Sequence, residues 1–275
     1  MRIEYTATLE SAFHHGAGTS GNTARLRTQE VIREDRSLAH VPFLSGNSVR
    51  HGLRNALAWH VAKTLDWENG SRSKGEVTLL WSGGGITKTG AQANLELARR
   101  ADELLPMLGL LGYAAGSDIV AGTLRASDMI LVCEENQSRL PMVAEGKAAY
   151  FRGEEFGTRH DLEGSPVARF MDMFAQESGS SQMIYSVQTL KPGTALYGDL
   201  MTDVSASVAH EKTLAAAWHL WAPGGTVFLG AKTATGYGRA KIVTSEPVPD
   251  ETPWLTELVL ENRVEIEAIV KALTA

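Results

Sequence analysis

The chain has 275 residues, 43% of them hydrophobic and 21% charged, and 26 lysines and arginines against 32 aspartates and glutamates leave it at −6. That composition excludes global disorder, the charge argues against a generally basic nucleic-acid binder, and a single cysteine, Cys133, excludes an internal disulfide framework and a thiolate zinc site. No apolar run approaches the roughly 18–20 residues of a membrane span and the N-terminus lacks a signal-peptide core, which points to a cytoplasmic protein with no membrane partner.

Residues 2–13 alternate as a strand with Ile3, Tyr5, Ala7 and Leu9 on one face. A glycine-rich stretch, residues 14–22, reads as a loop, and 28–34 with 39–43 reads as a hairpin. Ser45-Gly46-Asn47-Ser48 supplies N-cap candidates for a helix running to about Asp66, with Val49, Leu53, Ala56, Leu57 and Val61 as its apolar stripe and Arg50 and Arg54 on a neighbouring face. Residues 67–90 read as a polar, glycine-rich insertion, and 91–111 as a helix bent or split at Pro106. A strand follows at 122–134, then a long polar excursion over 135–180. Strands at 182–190 and 194–201 meet at the Lys191-Pro192-Gly193 turn, a helix occupies 205–221, and short strands at 226–229 and 239–244 flank a second glycine loop, 230–238. Pro253 opens a final amphipathic helix over 252–273. Without the insertions, about 67–120 and 135–181, the order is strand, helix, strand, strand, helix, strand in one domain spanning 1–275. This predicts an α+β, ferredoxin-like (RRM-like) arrangement.

Charge is unevenly spread. The last thirty residues carry seven acids (Glu246, Asp250, Glu251, Glu257, Glu261, Glu265, Glu267) against Arg263 and Lys271. Residues 14–60 carry Arg25, Arg27, Arg33, Arg36, Arg50 and Arg54 against Glu30, Glu34 and Asp35, and 230–241 holds Lys232, Arg239 and Lys241 without an acid. A basic surface built from two distant stretches is thus compatible with an acidic chain.

Two segments suit a sugar-phosphate backbone. Ser45-Gly46-Asn47-Ser48 would combine a helix N-terminus, hydroxyl and amide donors and the charge of Arg50. The 230–238 loop offers three glycines with Lys232, Thr233, Tyr237 and, just beyond, Arg239; it matches neither a Walker loop nor a dinucleotide fingerprint. Both segments also have plain readings, an N-cap beside a tight turn and a β-hairpin loop. His14 and His15 are candidates for acid–base RNA cleavage, for nucleic-acid contact, or for polar strand-edge residues. No cluster has metal-ligand spacing, so neither a metal nor a cofactor is expected.

In order along the chain, Val41-Pro42-Phe43-Leu44-Ser45-Gly46-Asn47-Ser48-Val49-Arg50-His51-Gly52-Leu53-Arg54, Gly122-Thr123-Leu124-Arg125, Thr158-Arg159-His160-Asp161, Leu190-Lys191-Pro192-Gly193 and the 230–239 loop resemble the RAMP superfamily of CRISPR-associated proteins. The likeness is to its backbone (Cas-seven type) subunit, and the Ser-Gly-Asn-Ser version to the type IV branch. The resemblance implies an RRM-like palm, an inserted web and a thumb hairpin, which falls within 154–183. It implies copies stacked head to tail along a CRISPR RNA, with target nucleic acid engaged through guide pairing and other class 1 effector subunits as partners. Carried onto this sequence, the RNA contacts are His14, His15, Arg25, Arg27, Ser45, Gly46, Asn47, Ser48, Arg50, Arg54, Arg159, His160, Lys232, Thr233, Tyr237 and Arg239. RNA-cutting relatives carry an aspartate just before the strand that holds Val31-Ile32-Arg33; here 21–33 has none, and Asp35 follows that strand. A non-cutting backbone is therefore expected. The alternatives are an endoribonuclease using Asp35 or the His14/His15 pair, and a small-molecule enzyme holding a nucleotide phosphate in the 230–238 loop.

Overall fold

The computed structural model describes residues 1–33, 35–86, 94–159 and 183–275. Its elements in chain order begin with strands β1 (Arg2–Leu9), β2 (Gly16–Ser20), β3 (Thr23–Leu26), β4 (Thr28–Ile32) and β5 (Leu38–Leu44), then helix α1 (Gly46–Thr64). Helices α2 (Lys74–Ser82), α3 (Leu95–Leu104) and α4 (Pro106–Leu111) precede the β6 (Tyr113–Ala115) and β7 (Asp118–Val120) ribbon and the strands β8 (Leu124–Ala126) and β9 (Met129–Leu131). After the short helix α5 (Ala148–Phe151) come β10 (Arg152–Arg159), β11 (Met183–Leu190), β12 (Ala195–Thr202), α6 (Val208–Trp221), β13 (Thr226–Phe228), β14 (Arg239–Thr244), α7 (Thr252–Glu261) and α8 (Arg263–Thr274).

The alternation in β1 buries Ile3, Tyr5, Ala7 and Leu9, as the sequence predicts, and this face carries the core. The main sheet runs β13-β14-β1-β12-β9-β5-β4, with β8 also on β12, and its pairings are antiparallel. Helices α1 and α6 cross-pack over its apolar side, where the Tyr5 ring lies 5.0 Å from Trp218 and 6.3 Å from Trp221. Helices α7 and α8 form an outer layer over α1, α6, α2 and α3. The fold is α+β, and no described helix is long and apolar enough to cross a membrane.

A second sheet, β10-β11-β3-β2, corrects two expectations. The glycine-rich 14–22 stretch is part of a strand pair, because β3 finds ladder partners in β11 (Ser186 opposite Thr23, Val187 opposite Ala24) that no local pattern reveals. The polar 135–180 excursion contains β10, which pairs with β11 along its length. Three further expectations change. Residues 67–90 hold α2, whose Ser73 and Glu76 form a reciprocal capping box. The single strand at 122–134 is two, interrupted at Ser127-Asp128, and the final helix breaks at Asn262. The split at Pro106 is observed.

Arg54 and Arg50 are also reassigned. Arg54 is 8% exposed, and its Nη2 donates to the carbonyls of Leu111 at 3.0 Å and Gly112 at 2.6 Å. Arg50 is half-buried and donates to the Leu111 carbonyl at 2.8 Å and to that of Leu124. Neither has an ion pair with a carboxylate among the described residues. The two guanidiniums cap the carbonyl end of α4, where cations are favoured, and bind α1 to the α4–β8 segment. Burial, and next the charge of Arg50, lower Arg54 to about 10, so it stays protonated at neutral pH. An RNA strand cannot use Arg54 in this arrangement. Arg54→Met is expected to lower stability by about 1–3 kcal/mol, since it leaves a buried carbonyl unpaired; denaturant melts of variant and wild type check it.

Candidate nucleic-acid interface

Helix α1 starts where β5 ends, with Ser45 as its cap: the Ser45 Oγ accepts the Ser48 N–H at 3.4 Å and lies 3.0 Å from the Ser48 Oγ. The Gly46 N–H donates to the Asp128 carboxylate at 2.8 Å. A Cβ on Gly46 would sit 2.3 Å from the Ala126 carbonyl oxygen. The glycine is required because the β8–β9 connection crosses there, and a protein carboxylate already occupies the donor that the sequence assigned to a phosphate. Asn47 is exposed and Ser48 half-buried beside it.

The 230–238 loop reaches the same place from the far end of the chain. Gly230 has φ +76°, and a Cβ there would lie 2.4 Å from the His14 carbonyl oxygen, which instead accepts the Ala231 N–H at 2.8 Å. The Gly238 N–H donates to the Ala12 carbonyl at 2.7 Å. Backed onto residues 12–14 in this way, the loop faces α1 across an open groove of about 900 Å³. Asn47, Ser48, His51, Asn55, Trp59 and Lys63 line one side, and Phe228, Gly230 and Thr233 the other. Among the described residues none lining it is an aspartate or glutamate. In a chain at −6 such a surface is electrostatically open to an anion.

Other candidates fall outside this groove. His14 is 4% exposed, and its Nδ1 lies 2.8 Å from the Gln188 carbonyl; a carbonyl only accepts, so Nδ1 carries the proton. His15 packs edge-on against Phe43, and its Nε2 lies 3.4 Å from the Ser45 N–H, which donates to it. Burial first, then the charges of Arg27 and His14, push His15 down to about 4, so the ring is neutral at pH 7. His14 is thus a buried donor to the second sheet and His15 an acceptor at the head of α1. Arg25 and Arg27 are exposed on the β2–β3 side, with Arg27 Nε donating to the Gly16 carbonyl at 3.2 Å. Lys232 stands 5.7 Å from the Tyr185 ring, the Tyr237 hydroxyl donates to Glu155, and Arg239 pairs with Glu10 at 2.7 Å. These contacts tie the loop to the second sheet and to the end of β1. Arg159 lies at the end of β10, and His160 lies outside the described residues, as does most of the 154–183 thumb expectation. Asp35 sits in the β4–β5 turn, bonded to the Ser37 N–H at 2.9 Å and Oγ at 2.6 Å, and these bonds hold its carboxyl below the usual range.

Sequence reasoning missed His51, Asn55, Trp59, Lys63 and Phe228. The first four are exposed and recur every four residues along α1, a ladder on one helix face. The i, i+4 spacing is the signal in the sequence that marks this face.

No family model and no curated protein matches the chain. A chain of a solved type IV-B CRISPR complex superposes with a TM-score of 0.63 at 18% identity, covering 90% of this chain and 92% of that one. The chain therefore has the fold of that subunit, in agreement with the type IV resemblance drawn from its motifs.

The neutral His15 gives a pH dependence. Its folded pKa lies below the ordinary value of 6.5, so the unfolded chain takes up a proton first as pH falls. Stability is then lost progressively from about pH 6.5 down to about 4, and protonation also sets an N–H against the Ser45 N–H. His15→Gln is expected to flatten the fall of melting temperature across that window, measured against the wild type in matched buffers.

Proposed function

We propose that this chain is a CRISPR-RNA-binding backbone subunit of a class 1, type IV-like ribonucleoprotein, whose copies stack head to tail along the guide without cutting it. The observation that carries this is the carboxylate-free groove, where residues 44–63 and 227–233 meet across a chain that is otherwise acidic. The end-to-end fold likeness to a chain of a CRISPR complex supports it. So does the strand order β14-β1-β12-β9, which with α1 and α6 corresponds to the 4-1-3-2 order of a ferredoxin-like palm. On this reading β10 and β11 form the base of the thumb, and the α2–α4 region is the web. Asn47, Ser48, His51 and Thr233 contact phosphates, so binding is insensitive to sequence. Target nucleic acid is then engaged through the guide, and the other effector subunits at the ends of the stack.

The contact between copies draws less on the acidic C-terminus than its composition suggests. Glu251 pairs with Lys212, Glu265 with Arg100, and Glu267 with Arg72 and Arg263. Exposed Glu257 and Glu261 on α7 remain for a neighbouring copy.

Co-expression with a CRISPR RNA tests the reading. The purified wild type should carry RNA and lose it steeply with salt, at a slope near −0.7 per phosphate contact. Asn47→Asp with His51→Glu should weaken binding at least about tenfold for every RNA sequence. A wild type without RNA overturns the function, and unchanged affinity in the double variant overturns the placement. Discrete magnesium-dependent cuts that disappear in Asp35→Ala would establish the endoribonuclease instead.

A further inference from the structure

We propose that the half of the groove remote from the α1 N-terminus is a stacking site for an unpaired nucleobase, formed by Trp59 and Phe228. The proposal rests on the RNA-binding reading above and adds a contact of different chemistry. Trp59 is 53% exposed and Phe228 52% exposed, and both line the groove. Exposed aromatic area of this size is costly in water unless a ligand covers it. Trp59 is also held: its ring meets Trp81 edge-on at 5.4 Å, and Trp81 in turn lies 6.5 Å from Trp67. A ring braced by a neighbouring indole and still half open to solvent is a prepared surface.

The surroundings select the ligand. Lys63, one turn beyond Trp59, is exposed and has no ion pair among the described residues. His60 beside it lies 3.0 Å from the Thr256 hydroxyl, and burial, then the charge of Lys63, lower its pKa, so its ring adds no charge at neutral pH. Asn55 and His51 stand one and two turns before Trp59, at a rise of about 6 Å per step. Aromatic faces interleaved with amide and cationic groups, and no carboxylate, suit a single strand: each base has a face to stack, and each phosphate meets a donor. A protein segment docking here would have neither an acid in the groove to meet its lysines nor a reason for the polar ladder. The strand thus passes from Asn47, Ser48 and Thr233 toward Lys63, with one base turned onto the aromatic pair.

The test uses a 30-nucleotide fluorescein-labelled single-stranded RNA of mixed sequence, and the same backbone made abasic. Trp59→Leu with Phe228→Leu should weaken binding of the normal RNA on the order of tenfold or more and leave its salt slope unchanged. The abasic RNA should bind wild type and double variant alike, and Trp59→Phe should retain most of the affinity. Should the double variant fold poorly, the wild type still decides: its tryptophan fluorescence should be quenched by normal RNA and not by abasic RNA. If the double variant binds normal RNA as tightly as wild type while Asn47→Asp/His51→Glu loses it, the stacking site falls and the RNA-binding reading stands. A wild type that binds neither RNA removes both. A double variant that changes only the assembly size of RNA-free protein would make the groove a protein-docking surface and overturn the proposal.

Discussion

The arrangement depends on two adjacent imidazoles, His14 and His15, just beyond the end of β1. Phe13 exchanges backbone hydrogen bonds with Leu190 at 3.0 and 2.9 Å, His14 donates to the Gln188 carbonyl, and the His14 carbonyl receives the Ala231 N–H. One residue later the His15 ring receives the Ser45 N–H at the head of α1. Segments far apart in sequence are thus fixed to one another through residues 13–15: the second sheet, the glycine loop, and the junction where β5 passes into α1. The arrangement requires His15 to be an acceptor, which an imidazolium is not. A pair of histidines that invites a catalytic reading is used for joinery, and the groove takes its width from where this joint places the loop opposite the helix.

Helix α1 shows how an acidic protein presents an anion-receptive surface. Its arginines do not face the groove. Arg50 and Arg54 point to the opposite flank and bind main-chain carbonyls of residues 111, 112 and 124, which holds the helix at a fixed distance from the web. Among the described residues the groove face carries mostly uncharged donors, a lysine without an ion pair, and no carboxylate. Such a surface holds a polyanion through many modest contacts, and its grip is lost readily as salt rises.

Much of the frame was legible because its signals are local. Alternation in β1, the Ser45 cap, the stripe Val49, Leu53, Leu57 and Val61, and Pro106 each act within a few residues. The second sheet was not legible, since β2, β3 and β10 carry glycine and polar residues and the sheet is joined by β3 meeting β11, with Thr23 opposite Ser186 from a distant part of the chain. The site was half legible. The convergence of the α1 head with the 230–238 loop follows from topology once the sheet order is known, whereas the burial of Arg54 depends on carbonyls of residues 111 and 112 whose positions no motif encodes. Gly46 is the instructive case: a close approach was the correct inference, but the approaching group is the Ala126 carbonyl.

The same case shows how one residue pattern can serve packing as well as a ligand. A serine-glycine pair followed by arginines at a helix head recurs for packing reasons as readily as for ligand reasons, because both need a small residue, a cap and a cation near backbone dipoles. In this chain the packing use has claimed Gly46, Arg50 and Arg54. Asn47, His51, Trp59 and Lys63 are exposed on the groove side of the same helix. They share one face of a helix whose opposite face is committed to the core, so α1 is both a structural beam and a binding rail. Rigidity on the first face leaves little ordering of the protein to oppose any ligand that settles on the second.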